Sequence, residues 1–528
     1  MSDLRSKKLS KIVLAALAFC LVGFAFAAQG ENVQKGATVV NEIKHDVSLP
    51  LSEMVKLTPV QTNRNREIEL RGQAHIKQLP GEDTAVQRIV LPQVSTTNLL
   101  NFDGQGADGV APPDTEGAVG ATQYVQWVNL EYNVYNKTTG AKTLGPIQGN
   151  SLWSGFGGVC QSSNDGDPIV LYDKAAQRWF FAQNVFSTPY TICIAVSTTS
   201  DVTGTFHRYS FPVTPTSAFP DYPKWGVWPD GYYQTFNVFT NGFSFSGVEA
   251  CAADRNNMLA GNAATLQCFS INSNYFSLLP SDLDGNTAPP AGSPNYFVAL
   301  GNDTSNLYTW KFHVDFTNPS NSTFTGPATL TVPNYRLICA GGGNRACIPE
   351  PGGNSVDSLT GRSMYRYSYR NFGTYESLLM SQTVAPGSGS TAVGAVRWYE
   401  IRTPSSPTLF QSGTIQHPTY SVWMPSIAQD KNGDIAIGVS ASSTALHPSI
   451  GYLGRVPSDP LGAMEAPDTV VVGNGSQIGT SNRWGDYSAM QVDPSDDCTF
   501  WFTQEYEKTN GSFNWSTRIN SFKFTTCN

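Results

Sequence analysis

Seven recurrences of an aromatic hairpin, eight cysteines behind an apolar N-terminal segment, and no long stretch of helical period together predict an all-β protein. The architecture they point to is a seven-bladed β-propeller of four-stranded antiparallel blades, with a polar N-terminal leader. The hairpin is clearest in "GDPIVLYDKAAQRWFFAQ" (Gly166 to Gln183). Two apolar runs, too short for helices, flank a polar turn that begins at Asp173. The same order returns in "GDYSAMQVDPSDDCTFWFTQEY", where Asp493 opens the turn. Looser copies turn at Asp230 and Asp430, and weaker ones at Gly120, Gly301 and Arg370. The turns lie 53 to 71 residues apart, about 62 on average, which leaves room in each unit for two more strands and long loops. "TICIAVSTTSDVTGTFHRYSF", "AVRWYEIRTPSSPTLFQSG" and "SIGYLGRVPSDPLGAM" read as such third and fourth strands.

Along the chain, residues 1–27 read as a signal peptide. Arg5, Lys7, Lys8 and Lys11 precede an apolar stretch from Ile12 to Phe26, and Ala25 and Ala27 stand at cleavage spacing. Cys20 follows Phe19 rather than a small residue, which argues against a lipid anchor. Residues 28–82 are polar and lack aromatic hairpins, so they read as a leader or pro-segment, and 83–528 as the propeller. A ring must close. The last unit ends at "TRINSFKFTTCN", one strand short, and "AVQRIVLP" (Ala85 to Pro92) is the expected donor of the missing outer strand.

A formal net charge of -8 with 14% charged residues excludes a nucleic-acid binder, which needs a concentrated basic surface. No later stretch approaches the ~18 apolar residues of a membrane span, so a secreted or periplasmic monomer without a transmembrane anchor is expected. Without Cys20 the cysteines number eight, an even set that favours disulfides in an exported chain. The repeat makes neighbours of Cys251 with Cys268, Cys339 with Cys347 and Cys498 with Cys527, leaving Cys160 with Cys193. No pair has the short spacing of a zinc site.

The segment "STTSDVTGTFHRY" (Ser197 to Tyr209) resembles the Asp-box turn of bacterial sialidases, with one extra residue between Asp201 and Gly204. Together with "DPIVLYD", "DYPKWGVWPDGYY", "MYRYSYRNFG", "AVRWYEIR" and "NRWGDYSAMQVDPSDDCTFWF", it makes the chain from Asn101 to Asn528 similar to exported bacterial sialidase-like propeller proteins. The resemblance implies the fold and supplies almost no chemistry, because such turns sit between outer strands.

In a propeller the first strand of each blade lines the axis, so residues just before it converge on one mouth. Counting back from the turns places Asp114 and Glu116, Asp167, Asp221, Asn295 and Asp486 there, with Arg366, Trp423 and Met424 near the same rim. Glycoside hydrolysis needs two carboxyl groups flanking the bond. Asp167, Asp221 and Asp486 are the catalytic candidates, and Asp114, Glu116, Arg366, Trp423 and Arg483 the substrate-binding ones. A sialidase would need several converging arginines, for which Arg366, Arg370, Arg397 and Arg483 are available. The bland alternative is that an Asp beside Gly or Pro, as in "NDGDP", "FPDYP" and "RWGDY", accepts backbone hydrogen bonds and closes a turn. Trp423, Trp484 and Trp501 read equally as blade packing.

"DLDGN" (Asp282 to Asn286) and "DKNGD" (Asp430 to Asp434) resemble calcium loops without the closing Glu and read as hairpin turns. No cofactor is expected, calcium being the one ion these loops leave open. There is no G-x-S-x-G elbow, H-E-x-x-H or Walker loop. The sequence thus predicts an exported propeller that recognises extracellular glycan and, if an enzyme, hydrolyses it with paired carboxylates. The alternative is a non-catalytic adhesion or scaffold propeller.

Overall fold

The computed structural model describes residues 32–56, 66–67, 69, 71–72, 75–339, 345–385 and 393–527. The signal peptide read over 1–27 lies outside them. The described chain is all-β, and its helices are one or two turns long, such as Leu51–Met54, Gly158–Ser162 and Arg255–Ala260. No helix among the described residues is long and apolar enough to cross a membrane.

Six of the seven hairpins join an innermost strand to the next, as predicted; the one at Gly301 instead joins the second and third strands of the fourth unit, Asn295–Leu300 and Asn306–His313, and this carries Asn295 away from the mouth. Ile169–Asp173 pairs with Arg178–Val185 in the register Ile169↔Ala182 to Asp173↔Arg178. The Asp173 carboxylate closes the turn, accepting from the Ala176 amide at 3.0 Å, and holds Arg255 at 2.6 Å. The first strand is buried on both faces because other sheets lie on either side, so it reads as a continuous apolar run rather than an alternation. Aromatics fill the gaps between sheets: the Phe180 ring lies 5.0 Å from Trp225 and 4.6 Å from Tyr232. The turn at Ser197 to Thr205 joins the third and fourth strands of the second unit, with Asp201 accepting from the Thr203 amide at 2.9 Å.

The sheets vary in size. The first and sixth units are four-stranded; the second and third are five-stranded. The fourth and fifth merge into nine strands through parallel pairing of Leu279–Asp284 with Met364–Asn371. The extra strands come from the polar leader: Val33–Lys35 pairs with Thr323–Thr331, Thr38–Asn41 with Thr265–Asn272, and Lys44–Val47 with Phe206–Pro212. The leader thus covers the outer edges of three successive units, satisfying backbone groups that an open edge would leave unpaired. Innermost strands touch in sequence: Glu116–Val119 meets Ile169–Asp173, then Ala218–Val227, Leu279–Asp284, Met364–Asn371, Ser421–Gln429 and Ala489–Val492, which returns to Glu116–Val119. The circuit is closed.

Its closing strand is not the predicted one. The outer position of the seventh sheet is taken by Thr96–Gly106, antiparallel to Ser516–Phe524. Residues 85–92 instead cross the fifth and sixth units, where Val86 bridges Thr414, with Gln93 just beyond bridging Ala466. The donor is the longer run, and polar contacts as well as packing hold it. Arg518 donates to Asn101 Oδ1 and Asp103 Oδ1 at 2.6 Å, while Phe102 lies against Tyr135 at 5.3 Å. All four disulfides pair as the repeat predicts: Cys160–Cys193, Cys251–Cys268, Cys339–Cys347 and Cys498–Cys527.

Candidate functional site

One backbone device recurs where the innermost strands begin or kink. Asp114, Asp167 and Asp486 have φ of 50°, 49° and 62°, and Tyr222, Ser277 and Met424 have 56°, 48° and 53°. A left-handed residue other than glycine costs about 1–2 kcal/mol, least for Asp, whose short polar side chain bonds locally. Here the kinks are tied together. The Asp114 amide donates to the Gly485 carbonyl at 3.0 Å, linking the first and seventh units. The Tyr222 amide donates to Asp167 Oδ2 at 3.2 Å, its hydroxyl to the Asp486 carbonyl at 2.8 Å, and the Tyr487 hydroxyl to the Pro168 carbonyl at 2.8 Å. Gly485 permits this closeness, since a Cβ there would meet Met424 at 2.8 Å.

These kinks bring Asp114, Asp167, Asp221 and Asp486 together at one end of the circuit, none more than 6% exposed. The Asp114 and Asp167 carboxyl groups are close enough for each to alter the other's affinity for protons. Neither Asp114 oxygen has a protein donor, and Asp167, Asp221 and Asp486 each keep one buried oxygen without one. Backbone latches would be better satisfied.

Burial, then the charges of Asp167 and Asp486, pushes Asp114 well above the carboxylate range, opposed by Arg483. Asp167 is raised by burial, with Lys224 opposing. Asp221 is pushed up to about 7 by burial and by Asp167, with Arg362 opposing. Burial pulls Lys224 down to about 8 against the pull of the surrounding carboxylates. Its ammonium lies 3.6 Å from the centre of the Tyr222 ring and 3.9 Å from that of Tyr487. Arg483 fixes one edge of the cluster, reaching Asp486 at 2.6 Å and Asp357 at 3.1 Å. An acid at about 7, beside other acids raised by burial and a lysine pulled down, is the raw material of proton transfer.

The other predicted residues go elsewhere. Glu116 is buried among the fields of Lys224, Arg366 and Asp282, and burial raises it. Arg366 leaves the mouth, binding Asp282 at 2.6 Å, Asp284 at 2.8 Å and the Met490 carbonyl at 3.0 Å. Trp423 is sealed in the core, 5.7 Å from Trp484, so it offers no sugar platform. Asn295 exchanges hydrogen bonds with the Ser281 backbone. The Asp282 loop already holds cations, Arg366 and Lys174. At the other loop the Asp430 carboxylate accepts from the Asn432 and Asp434 amides, as in a hairpin turn. The four arginines do not converge: Arg370 binds Asp497, and Arg397 binds Asp83.

Sequence reasoning missed Lys224, Arg362, Tyr222, Tyr487 and Asp357. The first is visible three residues after Asp221 in "DYPKWG", but nothing in a single sequence says that it points inward. It also missed a cover. Arg66–Glu67 pairs with Val110–Ala111, and Arg66 donates to the Asp165 carbonyl at 2.6 Å. The Arg71 guanidinium stacks 3.8 Å from the Phe219 ring, and its carbonyl accepts from Arg362 at 3.1 Å. A second hairpin, Ala346–Ile348 with Val356–Asp357, brings Asp357 onto Arg483. Arg71 comes within electrostatic reach of Asp221, and the hairpin, through Asp357, holds the arginine that binds Asp486.

No protein-family model and no curated protein matches this chain. Among solved structures, an endo-arabinase from Bacteroides thetaiotaomicron is similar at 14% identity over 54% of this chain and 92% of its own, with a TM-score of 0.28. An exo-beta-1,3-galactanase from Clostridium thermocellum matches at 12% identity over 77% of this chain and 87% of its own, at 0.30. The WD40 domain of SCAP from fission yeast matches at 10% over 83% and 97%, at 0.33. Likeness at these scores decides nothing about chemistry, and the functional reading rests on the site.

Proposed function

We propose that the closed circuit of seven innermost strands is a seven-bladed β-propeller of an exported protein that acts on extracellular carbohydrate, with its chemistry at the axial acid cluster. The observation that carries this is the burial of Asp114, Asp167, Asp221 and Asp486 together around Lys224, with Asp221 pushed up to about 7. Paired carboxyl groups whose environments push their affinities for protons apart are what glycoside hydrolysis requires. In this reading Asp221 is the general acid and Asp167, backed by Lys224, the ionised base or nucleophile. Asp114, pushed well above the carboxylate range, stays protonated, and Asp486 is fixed by Arg483. Four disulfides favour an exported setting. A sialidase-type site is not proposed, because the arginines bind separate acids.

The acids are buried, so in this reading substrate enters only when the leader lifts, with Arg66, Glu67, Arg71 and Gly72 acting as part of a pro-segment. A second reading, a non-catalytic binding propeller, is favoured by one observation. Left-handed residues recur in six of the seven units whether or not they carry an acid. The test is a glycan-hydrolysis screen of the full chain and of an Arg66→Ala/Arg71→Ala variant, which removes the side-chain anchors of the cover. Hydrolysis by the variant, lost on Asp221→Asn with folding intact, supports the enzyme. No hydrolysis by either protein sinks it and leaves the binding reading.

A further inference from the structure

A second site lies at the same end of the molecule, between the third and fourth units. Phe245, the loop Ser273 to Phe276, the turn at Asn302, and Tyr308 line a cavity of about 360 Å³. That volume lies within the range of small-ligand pockets. Its turns fall at the mouth end, since Ala218 pairs with Thr240 and Leu279 with Val298. One wall is aromatic and fixed: the Tyr275 ring stands edge-on to Tyr308 at 5.4 Å and to Trp310 at 5.2 Å. The rest is polar and unspent. The side chains of His75, Ser273, Asn274 and Asn302 make no hydrogen bond to any described residue. Not one Asp, Glu, Lys or Arg lines the cavity.

That combination has a chemical meaning. A pyranose or furanose ring presents apolar C–H faces, which an aromatic wall covers, and a rim of hydroxyls that both donate and accept. Amides and hydroxyls match such a rim, and the lining holds no carboxylate, lysine or arginine to pair with a charged ligand. The cavity also points toward the acids. The far side of Phe276 is covered by the Arg362 guanidinium at 4.9 Å, which lies 4.3 Å from the ring of Tyr222, the neighbour of Asp221.

We propose that this cavity is a neutral-glycan subsite, placed to hold a chain whose remainder runs toward the axis. Its direction rests on the carbohydrate reading of the axial site, but binding at the cavity does not require that site to be catalytic. The test uses the full chain on a printed array of neutral gluco-, xylo-, manno-, galacto- and arabino-oligosaccharides, followed by calorimetric titration of the strongest binder. Tyr275→Ala should weaken binding about tenfold or more, and Asn302→Ala, which removes only an exposed amide, should weaken it severalfold while melting like the parent. Binding is read with no turnover required, which separates failure of the subsite from failure of the axial site. No binding to any of these glycans, or equal affinity in parent, Tyr275→Ala and Asn302→Ala, overturns the proposal.

Discussion

If the axial acids are held against their own charge for chemistry, Asp221→Asn should stabilise the protein above neutral pH. The amide keeps the shape of the protonated acid and cannot ionise. Asp221 moves from its ordinary 3.8 to about 7 in the fold. A carboxyl whose affinity for protons is raised by folding contributes stability that is complete below about pH 4 and lost as pH climbs through about 7. A shift of roughly three units corresponds to about 4 kcal/mol between those limits. Some of that is offset in the variant, because Arg362 and Arg71 lose a nearby negative charge. The expected gain for Asp221→Asn at pH 8.5 is therefore about 2–4 kcal/mol, with little change at pH 4.5. Guanidinium midpoints of parent and variant at the two pH values measure it. A latch predicts the opposite, a variant weaker at both, and that result would refute the reasoning.

Other predictions follow from the same geometry. Deleting residues 96–106 removes the outer strand of the seventh sheet and should abolish cooperative thermal unfolding, whereas deleting 85–92 should cost far less; equal losses would contradict the closure seen here. Arg366→Met leaves Asp282 and Asp284 buried beside each other and should cost about 3–5 kcal/mol in denaturant melts, a loss below about 1 kcal/mol showing that the pair is solvated. Cys498 and Cys527 close a loop of separation 29. Replacing both by Ser should cost about 3–4 kcal/mol, and peptide mapping under non-reducing conditions should recover that pair.

Most of the ring was legible because its signals are local. Asp173, Asp230, Asp430 and Asp493 each stand at the hairpin turn the pattern assigns, and Cys251 faces Cys268 across paired strands. The leader strands were not, since "VQK", "TVVN" and "KHDV" are three or four residues long and pair only with distant sheet edges. The closing strand "TTNLLNFDGQG" escaped because Asn101 and Asp103, polar in sequence, are the groups that hold Arg518. At the site, counting back six or seven residues from the turns found Asp114, Asp167 and Asp486 because a left-handed residue recurs there, while Asp221, nine before its turn, sits beside the kink at Tyr222. It failed for Arg366 because one residue along a kinked strand turns a side chain from the mouth to the interior. Lys224, Arg362 and the cover could not be read, since their meeting depends on loops whose paths the local pattern does not constrain.

The most direct test of the central claim is the rate of glycan hydrolysis by the Arg66→Ala/Arg71→Ala protein with and without Asp221→Asn. The account predicts release of reducing sugar from at least one neutral polysaccharide. It predicts a fall by a factor on the order of 10² or more on Asp221→Asn, in a protein that melts no earlier. Turnover unchanged by that substitution, or none from the uncovered protein on any glycan, would contradict it.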